Sequence, residues 1–315
     1  MPFAASRRYI IFMPAPPVVL SIAGYDPSSG AGATADIKTA AAFGCYAVTC
    51  LTALTVQSTQ GVFVVEPVRP ELVRGTLARL RQDFEIAAVR IGMLGSGAVA
   101  SEVADFLERE RLPNVVLDPV LRSSSGADLI DAEGLEALRL SLLPLSTLIT
   151  PNMAEAAALA RADQLPSGSS WDSAQPVIRE LAEKLHALGA RSVLITGGHL
   201  DEPVDFLSFS APEAVSSLTH SNRRNEGGTR DIPAQSKAGG TRPITQAFPG
   251  ERIESRSTHG TGCALATAIA CLLAQGVDLV SAVQQAKEFV RQAILTAQAL
   301  GKGTGPVNHL FRFQK

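Results

Sequence analysis

The chain is poor in cysteine, with only Cys45, Cys50, Cys263 and Cys271 among its 315 residues. They form no Cys-x-x-Cys pair and are too sparse for a disulfide framework. That excludes a structural zinc ribbon and points to a reducing compartment, the cytoplasm. An excess of either charge is missing too: 28 Lys and Arg face 30 Asp and Glu, so nothing marks a nucleic-acid partner and there is no acidic tail. Long apolar runs are absent near the start, where residues 9–13 are followed by Pro14 and Pro16 and are far too short to cross a membrane. Residues 1–16 read as a loose tail, and no internal repeat is visible. What remains is 46% apolar and 18% charged, enough to bury a large core around a small-molecule site.

Apolar runs alternate with helical patterns along most of the chain. Strands are expected at residues 17–22, 46–56 (one strand or a pair), 87–94, 115–117, 147–150 and 192–196. Helices are expected at 32–43, 70–83, from about 97 to 111, 135–143, 171–188, 264–274 and 279–300. This alternation predicts an α/β fold with a mostly parallel, doubly wound sheet, whose ligands bind at the carboxyl ends of the strands. From 208 to 252 the hydrophobic period fails, and residues 212–248 read as a mobile surface insertion within a single domain spanning 17–315. The stretch Gly95–Ala100 fits a dinucleotide fingerprint only imperfectly, because Ala100 replaces the third glycine, and a plain helix start is the simpler reading.

The most informative stretch is Ser-Thr-His-Gly-Thr-Gly-Cys at 257–263, directly before an Ala-, Leu- and Ile-rich helix. A helix beginning there offers unpartnered N–H groups and the positive end of its dipole to an anion. Gly260 and Gly262 allow close approach, and the hydroxyls of Thr258 and Thr261 add donors. Cys263 falls in the first turn, where a thiolate is favoured. An ordinary Thr-capped loop with a buried cysteine fits the same residues. The Gly-rich turn at 23–32, at the end of the first strand, likewise suits close approach of a ligand.

Other polar residues fall at strand ends. Gln57 carries a carboxamide, whose adjacent donor and acceptor match the amino group and ring nitrogen of an aminopyrimidine, although a solvated turn glutamine is an equal reading. Asp118 follows a strand, and Asn152 and Glu155 lie three apart at a helix start. An Asn carbonyl and two carboxylates suit Mg²⁺, which keeps water and phosphate in its other positions. Asn-x-x-Glu is also a capping box.

Taken together, GYDPSSGAGATADIKT (24–39), VQSTQGV (56–62), RIGMLG (90–95), VLDPV (116–120), ITPNMAEA (149–156), ITGGH (195–199) and THGTGC (258–263) resemble the hydroxymethylpyrimidine and phosphomethylpyrimidine kinases of thiamin biosynthesis. These belong to the ribokinase-like superfamily, and the ordered set is far more specific than any one motif. The resemblance implies a three-layer α-β-α sandwich and ATP-dependent, Mg²⁺-dependent phosphorylation of a small pyrimidine, with homodimers frequent. It further implies that Gln57, Asp36, Gly24 and Met93 form the pyrimidine pocket and that Asp118 and Glu155 hold the metal. Asn152, Thr196 and Arg122 would meet the nucleotide. Gly260, Thr261, Gly262 and Cys263 would form the anion hole, with Cys263 in the position of a base. Thr196 and Ser124 stand where many members carry lysine, and Arg122 is expected to replace one missing cation. A pyridoxal-type kinase and a non-catalytic pyrimidine-binding relative are the rival readings.

Overall fold

The computed structural model describes residues 14–123, 126–162, 170–210 and 243–314. Its centre is one nine-stranded sheet in the order β3-β2-β1-β4-β5-β6-β7-β8-β9. The strands are β1 (Val18–Tyr25), β2 (Tyr46–Ser58), β3 (Gly61–Pro67), β4 (Ile86–Ile91), β5 (Val115–Leu117), β6 (Leu148–Ile149), β7 (Ser192–Ile195), β8 (Val204–Phe209) and β9 (Ile244–Pro249). From β2 to β7 all neighbours are parallel, while β3, β8 and β9 pair antiparallel at the two edges. The strand order reverses around β1, which lies between β2 and β4. Such a reversal opens a crevice at the carboxyl edge of the sheet.

Strand residues alternate between two cores, as the period of two requires. On one face Leu20, Ile22, Val115 and Leu117 pack with α2 (Pro70–Asp83), α3 (Gly97–Glu110), α6 (Met153–Ala160) and α7 (Trp171–Ala187). That layer also takes α4 (Ala132–Ala137), which runs through a π-helical turn, Leu138–Leu142, into α5 (Leu143–Leu145). On the other face Val19 and Val116 meet the end of α1 (Gly32–Ala42), α8 (Thr261–Ala274) and α9 (Leu279–Leu295). The result is the expected three-layer sandwich. Helix α8 is buried almost all round because its Ala-rich sequence lets it lie close against both the sheet and α9.

Two expectations change. The pattern at 46–56 resolves into one long strand, β2, followed by the edge strand β3. The insertion expected at 212–248 overlaps a strand at its end, since Ile244–Pro249 pairs with β8 along its whole length. Only Phe248 of β9 is buried, and an edge strand with one buried side chain shows no hydrophobic alternation to read. Residues 211–242, residues 1–13 of the expected tail, and Ser124 lie outside the described residues.

Candidate active site

The carboxyl ends of β1, β2, β4, β5, β6 and β7 and the first turn of α8 surround one cavity. A broader trench adjoins it and shares Asn152, Glu155, Thr196, Arg122, Thr261 and Gly262 with it. Of the residues singled out from sequence, Gln57, Gly24, Met93, Asp118, Asn152, Glu155, Thr196, Arg122, Gly260, Thr261, Gly262 and Cys263 all line the cavity. They come from seven separate elements, so their convergence is a property of the sheet topology.

At the inner end, Gly24 and Met93 depend on each other. A Cβ on Gly24 would come within 2.9 Å of Met93 Sδ, so the missing side chain makes room for the thioether against the cavity wall. Gln57 is half-buried beside them, at the end of β2.

Asp36 does not join this wall. Its side chain is 1% exposed, accepts hydrogen bonds from Ser21 Oγ at 2.6 Å and Thr267 Oγ1 at 2.7 Å, and lies 3.2 Å from Arg90 Nη1. It is on a buried face of α1 and serves the interior rather than a ligand, which corrects its assignment to the pyrimidine pocket.

Arg90, which the sequence reading did not assign, occupies the space behind the cavity. It is fully buried, yet forms part of the cavity lining, with Nη2 2.8 Å from Asp118 Oδ2. Its Nε and Nη1 make no hydrogen bond of good geometry, and the Cys263 sulfur lies next to the guanidinium. Gly92 is small because a Cβ there would meet Arg90 Nη1 at 1.9 Å. The signal was present in the sequence as a lone charge inside the apolar run 86–94.

Asp118 and Glu155 face the same space. Burial raises Asp118 to about 6 despite Arg90. Burial, and then the charge of Asp118, raise Glu155 to about 8. The charge of Asp118 hinders the ionisation of Glu155, and a cation between the two would relieve it. Among the described residues no three His, Cys, Asp or Glu side chains converge as a metal cage. Two carboxylates completed by phosphate and water are the usual Mg²⁺ arrangement.

Asn152 caps α6. Its Oδ1 accepts from Glu155 N at 2.9 Å while Glu155 Oε2 accepts from Asn152 N at 2.9 Å, a complete capping box. Both side chains are thus engaged at the helix start, each through one oxygen, and both still line the cavity. Arg122 is at the exposed rim, paired with Asp128 at 2.7 Å. Thr196 follows β7, its N–H bonded to Pro151 O at 2.9 Å.

Helix α8 starts with no side-chain cap, so its first-turn dipole and N–H groups are not satisfied by a neighbouring side chain. The two glycines there have different reasons. Gly260 has φ +86°, and a Cβ would strike Gly30 O at 1.8 Å; Gly262 has open space where its Cβ would be. Cys263 is neutral: burial pushes its thiol up to about 11, and Arg90 beside it only partly offsets this. The expected thiolate is thus not favoured, because burial and the charges of Asp118 and Asp36 outweigh the pull of Arg90 and the Gly32 backbone hydrogen bond.

Asp26 and His259 were also missed, although both stand inside quoted motifs. Asp26 Oδ2 lies 2.8 Å from His259 Nε2, joining the loop after β1 to the start of α8. His259 Nε2 is in turn 3.3 Å from the Gln57 amide.

A strand-end cleft with an acceptor pocket, an uncapped helix start and paired carboxylates defines a phosphoryl-transfer enzyme of the ribokinase-like class. The sequence matches the phosphomethylpyrimidine kinase family over residues 26–308. It is 36% identical over 286 residues to a hydroxymethylpyrimidine/phosphomethylpyrimidine kinase of Aquifex aeolicus, covering 91% of this chain and 97% of that one. It is 38% identical over 294 residues to a thiamine biosynthesis bifunctional protein of Geobacter sulfurreducens, covering 93% of this chain but only 52% of that longer protein. Among solved structures, the ADP complex of Bacillus subtilis pyridoxal kinase superposes with a TM-score of 0.73 at 31% identity, covering 94% of this chain and 98% of that one. The chain belongs to the phosphomethylpyrimidine kinase family.

Proposed function

We propose that this kinase transfers the γ-phosphoryl group of ATP to the hydroxymethyl oxygen of 4-amino-5-hydroxymethyl-2-methylpyrimidine, and then a second phosphoryl group to the resulting monophosphate. The carrying observation is that the cavity at Gln57, Gly24 and Met93 runs into the broader trench at Thr261 and Gly262. An acceptor in the first and a nucleotide in the second would bring the acceptor oxygen up to the γ-phosphorus at the start of α8. Phosphoryl transfer depends chiefly on in-line positioning and on neutralising charge, and the α8 N–H groups supply the second along with Arg122 at the rim. Mg²⁺ would be held by Asp118 and Glu155 and would supply further neutralisation. Cys263, being neutral, would position the acceptor rather than take its proton.

The same reading places the enzyme in the cytoplasm, as a homodimer. Support for the second copy is the half-exposed apolar face of Leu54, Val56 and Val64, where Val56 pairs directly with Val64 across β2 and β3. No described helix is long and apolar enough to cross a membrane.

The test is ADP release with ATP and Mg²⁺, offering hydroxymethylpyrimidine, its monophosphate and pyridoxal in parallel, with Gln57→Ala as control. Turnover on both pyrimidines that collapses in the variant supports the reading. Preference for pyridoxal would overturn it in favour of the activity named for the Bacillus relative.

A further inference from the structure

Gln57 has a side-chain amide whose two ends differ only in chemistry, so its orientation is settled by its partners. One end lies 3.3 Å from His259 Nε2 and the other 3.2 Å from Thr55 Oγ1. His259 Nε2 also lies 2.8 Å from Asp26 Oδ2. Whether that nitrogen carries a hydrogen therefore decides which end of Gln57 can face it.

Asp26 answers the question. Its carboxylate accepts from Ser28 N at 2.8 Å, Ser28 Oγ at 2.7 Å, Gly30 N at 3.1 Å and Ala31 N at 2.8 Å. A group ringed by so many donors has no use for a proton of its own. Burial works to raise its pKa, yet the hydrogen bonds from His259, Ser28 and Ala31 win and hold it at about 2. The hydrogen between Asp26 and His259 must then sit on Nε2. The imidazole lies against Gly30, where a Cβ would be 2.2 Å from its Cδ2, and the His259 backbone is held by Gly305 and Val307.

The Nε2 hydrogen is taken by Asp26 Oδ2, and a protonated Nε2 has no lone pair left to accept from an amide N–H, so the end of Gln57 that faces it is Oε1 and not the amide nitrogen. At the far end the Thr55 hydroxyl has one hydrogen, and Tyr25 O takes it at 2.9 Å. Thr55 Oγ1 is then an acceptor for Gln57 Nε2. Every donor meets an acceptor in this arrangement, whereas the reverse sets two N–H groups against each other and asks one hydroxyl hydrogen to serve two carbonyls.

We infer that His259, held by Asp26, is a positioning residue that fixes the polarity of the Gln57 carboxamide and thereby sets which heterocycle edge the site accepts. The amide then shows the ligand a free N–H on the Thr55 side and a free lone pair on the His259 side. An amino group next to a ring nitrogen complements that pair in one orientation. A pyrimidone, with a carbonyl next to a ring N–H, has the opposite order. The inference rests on the proposed acceptor class, and its test has one arm that needs no substrate.

In that arm, ¹⁵N-labelled histidine in the unliganded full chain reports the protonation of each ring nitrogen by NMR, with His259→Gln identifying the resonance. A hydrogen on Nε2 at neutral pH is expected; a bare Nε2 with the hydrogen on Nδ1 overturns the inference whatever the enzyme phosphorylates. In the second arm, kinetics are compared for the 4-amino substrate and its 4-oxo analogue. His259→Phe keeps the ring shape without the donor, and should raise KM for the 4-amino acceptor by roughly tenfold, the worth of one hydrogen bond, with a smaller change in kcat. The preference for amino over oxo should fall by a similar factor. His259→Gln, which can place a donor at the Nε2 position, should recover much of it. In a Gln57→Ala background His259→Phe should change KM little further, because its effect passes through Gln57. Additive losses, or a fall in kcat with KM unchanged, would overturn the positioning role.

Discussion

Arg90 Nη2 lies 2.8 Å from Asp118 Oδ2, while Nη1 of the same guanidinium is 3.2 Å from Asp36 Oδ2. One buried cation thus spans two carboxylates, one on the cavity wall and one behind it. Charges so far from water persist only when paired, and removing the shared partner leaves two uncompensated groups.

Arg90→Met should therefore cost about 3–5 kcal/mol of stability, read as a lower denaturation midpoint. Arg90→Lys should cost less, because a single ammonium keeps the charge but cannot span both carboxylates. Equal stability in all three proteins would show that the pair contributes nothing.

The two glycines at the start of α8 should separate stability from binding. Gly260→Ala meets Gly30 O and a positive φ, so it should destabilise by at least about 1–2 kcal/mol. Gly262→Ala has open space and should fold normally. Its methyl group would instead occupy the approach to the helix N-terminus, raising KM for ATP with little change in melting temperature. Paired thermal melts and ATP titrations distinguish the two.

Cys263 should behave as a thiol at neutral pH. Alkylation by iodoacetamide, followed at the peptide containing Cys263, should be slow near pH 7 and climb as the pH approaches about 11. Cys263→Ala should lower turnover but leave measurable activity. Rapid labelling at pH 7, or complete loss of activity with acceptor binding intact, would restore the residue to the role of base.

Asp26 carries a pH-dependent part of the stability. Its folded-state pKa is depressed from 3.8 to about 2, so the stabilisation is fully present above about pH 4 and is lost as the pH falls through about 2. The shift corresponds to roughly 2 kcal/mol. Asp26→Asn should be less stable than the parent at pH 7 by about that amount, with the difference shrinking below pH 4. A gap that stays constant down to pH 2 would contradict the ionic reading.

Much of this protein was legible from local pattern. Apolar runs and helical periods placed most strands and helices within a few residues, because burial on one or two faces of a sheet imposes its period on the sequence. The ordered motifs at strand ends were legible for a related reason: glycine, Asp-Pro and Asn-x-x-Glu mark where a strand stops and a helix starts. The edge strand β9 was not legible, since with Phe248 alone buried it has no alternation to show.

What pattern could not decide was which polar residues face the cavity and which serve the interior. Asp36 and Asp26 stand ten positions apart in one quoted motif; the first is walled in by Arg90, Ser21 and Thr267, while the second lines the cavity with His259. Asn152 and Glu155 were read as ligands and as a capping box; the fold forms the complete box and also sets Glu155 beside Asp118. Arg90, 28 positions from Asp118, became its partner only when β4 and β5 lay side by side. The sequence alone determined most of the elements, the class of fold and the family, because these depend on periodicity and on motifs contiguous in the chain. The tertiary structure decided the partners, the ionisation of Cys263 and the setting of Gln57, because a pKa or a hydrogen bond depends on atoms that only the folded sheet brings within 3–4 Å.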